Sequence, residues 1–116
     1  LIDLGNLYEA EISIRKAIEF KYDYPEAHYN LGTVLIRLGN VIEAEISIRK
    51  AIEFKPDFAE AYSNLGNILR DLGKLNEAEI ATRKAIKIKP NLANAYSNLG
   101  NILRELGRFK NAKIFP

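Results

Sequence analysis

Cysteine is absent from the 116-residue sequence, and histidine occurs once, as His28. The absence of cysteine excludes disulfides, thiolate metal sites and cysteine nucleophiles. A single histidine leaves little room for a histidine-rich metal site, and we interpret His28 as a packing residue. The sequence also lacks a nucleophile–base pairing, a glycine-rich phosphate loop and a metal-ligand spacing, so it predicts no catalytic residues, no metal and no cofactor.

Charge of one sign and long apolar runs are also scarce. The 17 basic and 15 acidic residues give a net charge of +2, spread evenly along the chain. This surplus is too small to predict nucleic acid or anionic lipid as a partner. No run approaches the roughly 18 apolar residues that a membrane span needs, so no membrane partner is expected.

Internal repetition dominates what is present. All seven glycines fall into two series with a spacing of 34 residues: Gly32, Gly66 and Gly100, and Gly5, Gly39, Gly73 and Gly107. This period divides the chain into a partial unit at 1–24, whole units at 25–58 and 59–92, and a partial unit at 93–116. The two whole units are identical at 18 of 34 positions, which excludes chance. A period of this length is typical of solenoids and repeat arrays.

Within unit 59–92 the pattern predicts a helix, a tight turn, a second helix and a loop. Apolar residues recur at steps of three and four in two stripes, one on each side of Gly73. A glycine at that point closes a helix in the left-handed conformation without a Cβ penalty. Pro90 ends the second stripe. No segment alternates with period two, so the predicted fold class is all-α.

Small residues indicate how the two helices of a unit meet. Gly66 on the first helix and Ala78 on the second both face inward on their apolar stripes. Glycine in the middle of a helix costs up to about 1 kcal/mol relative to alanine, so its recurrence needs a steric reason. We therefore expect the two helix backbones to approach each other closely at Gly66.

A run of seven residues, Ala61-Tyr62-Ser63-Asn64-Leu65-Gly66-Asn67, is followed by Leu69, Gly73, Ala78, Ala85 and Pro90. Together these positions resemble the signature of the tetratricopeptide repeat family, with departures at Tyr22, His28 and Thr82. The resemblance implies a right-handed α-solenoid of antiparallel helix-turn-helix hairpins, whose first helices line a concave groove. It extends to the arrays of O-linked N-acetylglucosamine transferases, whose groove asparagines hold extended peptides, and so implies a protein or peptide partner.

Both ends of the sequence fall inside a unit. Leu1 stands within an expected first helix, and Pro116 stands early in an expected second helix. We therefore read the sequence as an excerpt of a longer array. The alternative is that copies of the chain stack end to end through Leu1, Leu4, Ile114 and Phe115.

On the first helix of each unit, polar residues occupy the face opposite the apolar stripe. If successive units stack with a constant offset, Asn30, Asn64 and Asn98 align along the groove, and we call these three residues the asparagine ladder. An amide offers both a donor and an acceptor, as pairing with a peptide backbone requires. The further candidates for peptide binding are Asn67, Asn101, Ser63, Ser97, Arg70 and Arg104, the two arginines through charge-assisted contacts.

Two other roles remain open for these asparagines: hydrogen bonding between repeats, and family inheritance without a ligand. Members that clamp the carboxylates of chaperone tails use lysines near the asparagines. Here the residues just before the ladder are Tyr29, Ser63 and Ser97, which disfavours that ligand. The recurring basic pairs Arg15-Lys16, Arg49-Lys50 and Arg83-Lys84 are expected on a solvated outer face.

The sequence thus favours a protein-interaction scaffold without enzymatic activity of its own, which binds an extended partner segment in the concave groove. One alternative is a structural array that associates with itself. The other is the substrate-recognition arm of an enzyme, such as a transferase, whose catalytic part lies outside this segment.

Overall fold

The chain folds into a row of six helices. The computed structural model describes the backbone of residues 3–114 and the side chains of residues 3–108. The helices are α1 (Leu4–Phe20), α2 (Pro25–Arg37), α3 (Val41–Phe54), α4 (Ala59–Asp71), α5 (Leu75–Ile88) and α6 (Ala93–Ile114). The described range contains no strand, and the predicted all-α class is confirmed.

Left-handed glycines close two of the helices, as the sequence predicts. Gly39 follows α2 with a φ of 85°, and Gly73 follows α4 with a φ of 79°. In both turns, the residue after the glycine donates its backbone N–H to the carbonyl five positions back. These hydrogen bonds run from Asn40 to Leu35 at 2.8 Å and from Lys74 to Leu69 at 2.8 Å. They satisfy carbonyls that the helix end would otherwise leave unpaired.

Helices α2, α4 and α6 form one layer, and α1, α3 and α5 form the other. Each helix packs on the next along the chain, so α2 pairs with α3 and α4 pairs with α5 across three-residue turns. Helix α4 also contacts α6 directly, whereas no comparable contact joins α3 to α5 within residues 3–114. At this end of the array the layer of α2, α4 and α6 is therefore the tighter one, as expected for the inner side of a curved array of repeats.

The apolar core lies between the two layers. Its largest fully buried aliphatic side chains are Leu35, Ile48, Ile68, Leu69 and Ile102. Alanines from both layers are also fully buried in this core: Ala44, Ala51, Ala61, Ala78 and Ala85. One helix pair could not bury both of its apolar stripes alone, so each pair depends on its neighbours for stability.

The close approach expected at Gly66 is confirmed. A Cβ atom added there would lie 2.1 Å from the Thr82 hydroxyl oxygen, and one added at Gly32 would lie 2.5 Å from Cδ1 of Ile48. Both distances are far shorter than a van der Waals contact. At Gly100 an added Cβ would meet no atom within 4 Å, so the steric reason holds at two of the three positions.

The glycines near the ends depart from the predicted turns. Gly5 lies inside α1, which Asp3 caps by accepting from the amides of Gly5 and Asn6 at 3.0 and 3.3 Å. Gly107 lies inside α6, which continues without the expected turn.

The residues suggested for end-to-end stacking lie mostly beyond what the structure describes. Leu1 and Phe115 fall outside residues 3–114, and the side chain of Ile114 falls outside residues 3–108. Leu4 is the one described side chain of the four, and it is 54% exposed on the first turn of α1. Stacking of copies through these residues therefore remains a prediction.

We expect Gly66→Ala to lower the free energy of unfolding by about 1–2 kcal/mol, since overpacking outweighs the gain in helix propensity. The new methyl group must displace the Thr82 hydroxyl, which donates to the carbonyl of Ala78 at 2.8 Å. Gly100→Ala is the matched control, and we expect it to raise the free energy of unfolding by up to about 1 kcal/mol. Chemical denaturation followed by circular dichroism measures both changes.

A second substitution separates the steric effect from a general intolerance of the site. With Thr82→Ala in the background, the clashing hydroxyl is gone and Gly66→Ala should cost less than it does in the wild-type chain. Equal effects of Gly66→Ala in the two backgrounds would contradict the assigned cause.

Candidate functional site

The exposed side of α2, α4 and α6, which we call the first-helix face, carries the predicted binding residues. Asn30, Ser97 and Arg104 are exposed there. Partly exposed are Asn64, Asn67, Asn98, Asn101 and Arg70. Ser63 differs from the rest, because it is only 3% exposed.

Asn98 of the ladder connects two helices. Its Nδ2 group donates to the Ser63 hydroxyl at 3.0 Å and lies 3.4 Å from the Ser63 carbonyl oxygen. Ser63 belongs to α4 and Asn98 to α6, so the amide joins the helices that contact each other in the inner layer. One of the two other roles left open by the sequence, hydrogen bonding between repeats, is therefore realised at Asn98.

Asn64 has the corresponding neighbour one period earlier. Its side chain interacts with the hydroxyl of Tyr29, the residue that stands 34 positions before Ser63. Burial raises the pKa of Tyr29, and the contact with Asn64 partly opposes that increase. The Tyr29 ring also packs on Phe58, with 4.8 Å between the ring centroids. Asn64 thus lies toward α2, but of the two asparagines only Asn98 makes a described hydrogen bond to the neighbouring helix of its layer.

Ser63 requires a correction. The sequence placed its hydroxyl among the groups that would meet a peptide, but the side chain is buried and accepts a hydrogen bond from Asn98. The Ser63 side chain is buried because α6 lies close to α4. The sequence pattern of a single unit does not give the distance between these two helices. Ser63 therefore positions the Asn98 amide.

Salt bridges tie further charges of the first-helix face in place. Arg70 of α4 reaches Glu105 of α6 with 4.0 Å between Nε and Oε1. Lys55 and Lys89, which sequence reasoning missed, return from the ends of α3 and α5 to carboxylates on α2 and α4. These pairs are Lys55 with Glu26 at 3.7 Å and Lys89 with Glu60 at 3.0 Å. The repeated Lys-Pro dipeptides at 55–56 and 89–90 were the available signal.

The described residues offer no metal site and no membrane span. No group of three or more His, Asp or Glu side chains comes together in that part of the chain, and none of its helices is long and apolar enough to cross a bilayer. His28 is 5% exposed and its Nε2 lies 2.6 Å from the carbonyl oxygen of Tyr22, to which it can donate. Its ring also packs against those of Tyr22 and Phe54, so it lies buried in an aromatic cluster.

We expect Asn98→Ala to lower the free energy of unfolding by about 0.5–1.5 kcal/mol, because the Ser63 hydroxyl loses its donor. Asn101→Ala is the control on the same helix, where no described hydrogen bond to another helix is lost, and it should change the free energy by less than about 0.5 kcal/mol. Urea denaturation measures both. If the two variants unfold alike, Asn98 does not hold α4 to α6.

Acid should weaken the array through Glu60. The hydrogen bond from Lys89 is the main cause that lowers the pKa of the Glu60 carboxyl in the folded chain. A lowered folded-state pKa gives stability that is present above the ordinary pKa and lost as the pH falls. Below about pH 4.5 we expect the free energy of unfolding to fall more steeply for the wild type than for Glu60→Gln.

The size of this effect is limited by solvent. Both side chains of the pair are more than 40% exposed, so we expect less than about 1 kcal/mol. Denaturation at a series of pH values from 6 to 3 measures the slope, with Glu9→Gln on the exposed side of α1 as the control. A Glu60→Gln slope equal to that of the wild type would contradict the assignment.

Three models of repeat families match the sequence. Two are described as tetratricopeptide repeats and match residues 25–58 and 48–80. The third, described as a TPR repeat, matches residues 66–107. No curated protein matches the sequence.

Several solved structures share the fold. The first TPR of Spaghetti (RPAP3), bound to the HSP90 peptide SRMEEVD, is 25% identical with a TM-score of 0.85, over 90% of this chain and 82% of that one. MamA is 28% identical with a TM-score of 0.82, over 90% of this chain and 61% of its own.

A mutant of the Thermobaculum terrenum O-GlcNAc transferase is 26% identical with a TM-score of 0.81, over 85% of this chain. The chain spans 19% of the transferase, so that comparison concerns the repeat region alone. These structures bear out the predicted helical repeat fold. Because the family models match continuously from residue 25 to residue 107, and these structures share the same arrangement of helices, the chain belongs to the tetratricopeptide repeat family.

Proposed function

We propose that the first-helix face binds an extended segment of a partner protein, and that the chain is a non-catalytic interaction scaffold. The observation that carries this proposal is the set of asparagines that remain partly exposed along α4 and α6. These are Asn64, Asn67, Asn98 and Asn101. An extended peptide presents unpaired N–H and C=O groups along its length, and side-chain amides can pair with both.

The hydrogen bonds of Asn98 determine whether its amide can still donate to a ligand or accept from one. The N–H groups of Asn98 point to two oxygens of Ser63, so its remaining capacity is that of an acceptor. In this proposal the side-chain oxygen of Asn98 accepts a backbone N–H of the bound segment. Its NH2 group does not donate to that segment. Asn67 and Asn101 stand beside the ladder and retain both functions.

The charges of the first-helix face argue against a strongly acidic ligand. Three cations of this face, Lys55, Arg70 and Lys89, already face the carboxylates Glu26, Glu105 and Glu60, and of the two predicted binding arginines only Arg104 makes no described salt bridge. The RPAP3 structure supports peptide binding by this fold, but its ligand SRMEEVD carries three acidic residues. With Tyr29, Ser63 and Ser97 before the ladder asparagines, the present chain suits a segment that is recognised through its backbone.

Replacing two of the three ladder residues, Asn64 and Asn98, tests the proposal. A peptide-display selection on the 116-residue chain first provides extended binders. We expect Asn64→Ala combined with Asn98→Ala to weaken the selected peptide by about 1–3 kcal/mol through lost or unsatisfied hydrogen bonds. Isothermal titration calorimetry measures the affinity, and circular dichroism verifies that helicity is retained.

Two controls sharpen this test. Asn76→Ala removes an exposed asparagine from α5, in the other layer, and should leave the affinity unchanged. Methylation of backbone nitrogens in the selected peptide should weaken it, because the acceptor role assigned to Asn98 needs a backbone N–H. A peptide whose affinity survives both the double substitution and backbone methylation would refute the proposed mode of binding.

A further inference from the structure

The layer formed by α1, α3 and α5, which we call the outer layer, carries a second periodic pattern. The proposed peptide site does not use this pattern. The sequence Glu-Ala-Glu-Ile-Ser-Ile-Arg-Lys occurs at residues 9–16 and again at 43–50, and Glu-Ala-Glu-Ile-Ala-Thr-Arg-Lys follows at 77–84. The first isoleucine of each copy is largely solvent-exposed: Ile12 at 69%, Ile46 at 62% and Ile80 at 71%. Scattered apolar residues are common on protein surfaces, but a periodic row of large ones marks a candidate interaction site.

A groove lies beside the last of these isoleucines, between α3 and α5. Its volume is about 430 Å³, which falls within the usual range of roughly 300–1,000 Å³ for ligand sites. Leu65, Leu69 and the ring of Tyr62 from α4 line it, and Ile80 and Ala81 of α5 form an apolar wall. The groove is therefore mostly apolar and opens on the side of the molecule away from the first-helix face.

Charges of opposite sign occupy the two ends of this groove. Glu77 in the first turn of α5 lines one end, and Lys84 lies about two helical turns further along. Arg49 of α3 also lines the groove, and its described salt bridge runs to Glu45 of its own helix. The groove thus runs from an acidic end to a basic end over about 10 Å of helix.

The equivalent groove between α1 and α3 has the same volume of about 430 Å³, but an ion pair spans it. Arg15 of α1 reaches across to Glu43 of α3, in addition to its contact with Glu11. No described salt bridge makes the corresponding connection between Arg49 and Glu77 across the groove between α3 and α5. Of the two equivalent grooves, the one between α3 and α5 is therefore the one whose charged side chains are not paired with each other across it in any described salt bridge.

We propose that this groove binds an amphipathic helix of another protein, antiparallel to α5. For a helix in this direction, charge complementarity requires carboxylates one turn before a large apolar residue and cations one turn after it. In the antiparallel direction those carboxylates meet Lys84 and Arg49, the apolar side chain meets Tyr62 and Leu65, and the cations meet Glu77. Contacts along two turns bury little area, which suits a weak and reversible partner.

Two alanine-based peptides of about 18 residues test this proposal, since shorter ones form little helix in water. Both carry a central leucine pair. One has glutamates before and lysines after it, and the other has the same composition in reverse order. Fluorescence anisotropy with the 116-residue chain should give the glutamate-first peptide about five- to tenfold tighter binding, and the preference should shrink in 0.5 M salt.

Matched variants assign the binding to this groove. Ile80→Ser should weaken the glutamate-first peptide about tenfold, whereas Ile12→Ser, at an equally exposed position outside both grooves, should leave it unchanged. Glu77→Lys combined with Lys84→Glu should remove the preference between the two peptides. The Asn64→Ala and Asn98→Ala variant should bind both peptides as the wild type does, so that failure here and failure of the first-helix proposal are distinguishable.

Three results would overturn the proposal. The first is the lack of saturable binding of either peptide, and the second is an equal effect of Ile12→Ser and Ile80→Ser. The third comes from analytical ultracentrifugation: self-association that Ile80→Ser abolishes and Ile12→Ser does not would identify the occupant as a second copy of the chain.

Discussion

The architecture depends on the distance between the two helices of each hairpin, which the missing Cβ atoms of Gly32 and Gly66 set. At these points the facing side chain, Ile48 or Thr82, occupies the space that a methyl group would need. The same close approach occurs in both complete hairpins, 34 residues apart. A repeated offset is what separates an inner layer of polar amides from an outer layer with exposed isoleucines.

Sequence reasoning succeeds here where one residue type has a local cause. Left-handed glycines at 39 and 73 and the close approach at Gly66 follow from the steric properties of glycine, and the structure confirms all three. It fails where the outcome depends on the distance between separate helices. The engagement of Asn98 with Ser63 needs α6 to lie on α4, a distance that the sequence of one unit does not contain. The repeat pattern also predicts a turn at Gly107, whereas α6 continues through that residue. The peptide-binding role of the remaining amides stays a prediction.

The two proposed surfaces share helix α4 but use different sides of it. Asn64 and Asn67 stand on the inner side, whereas Leu65 and Leu69 form the floor of the outer groove. Because the helix is held by buried contacts on both flanks, occupation of one side need not disturb the other. The chain could therefore connect two partners at once, one as an extended strand and one as a helix.

Tyr29 gives the inner layer an unequal spacing. At Ser63, α6 contacts α4 directly. At the equivalent position one period earlier, the Tyr29 ring stands between α2 and α4 and packs on Phe58. Within residues 3–114, α2 and α4 show no contact comparable to that between α4 and α6. A strictly periodic sequence would produce rungs at a uniform pitch, but one bulky side chain widens a single gap. In the proposed mode of binding, a strand across all three helices crosses one gap that contains the Tyr29 ring and one where α4 and α6 are in direct contact. If a strand binds there as we propose, that asymmetry gives its two directions different neighbours on an otherwise repetitive surface.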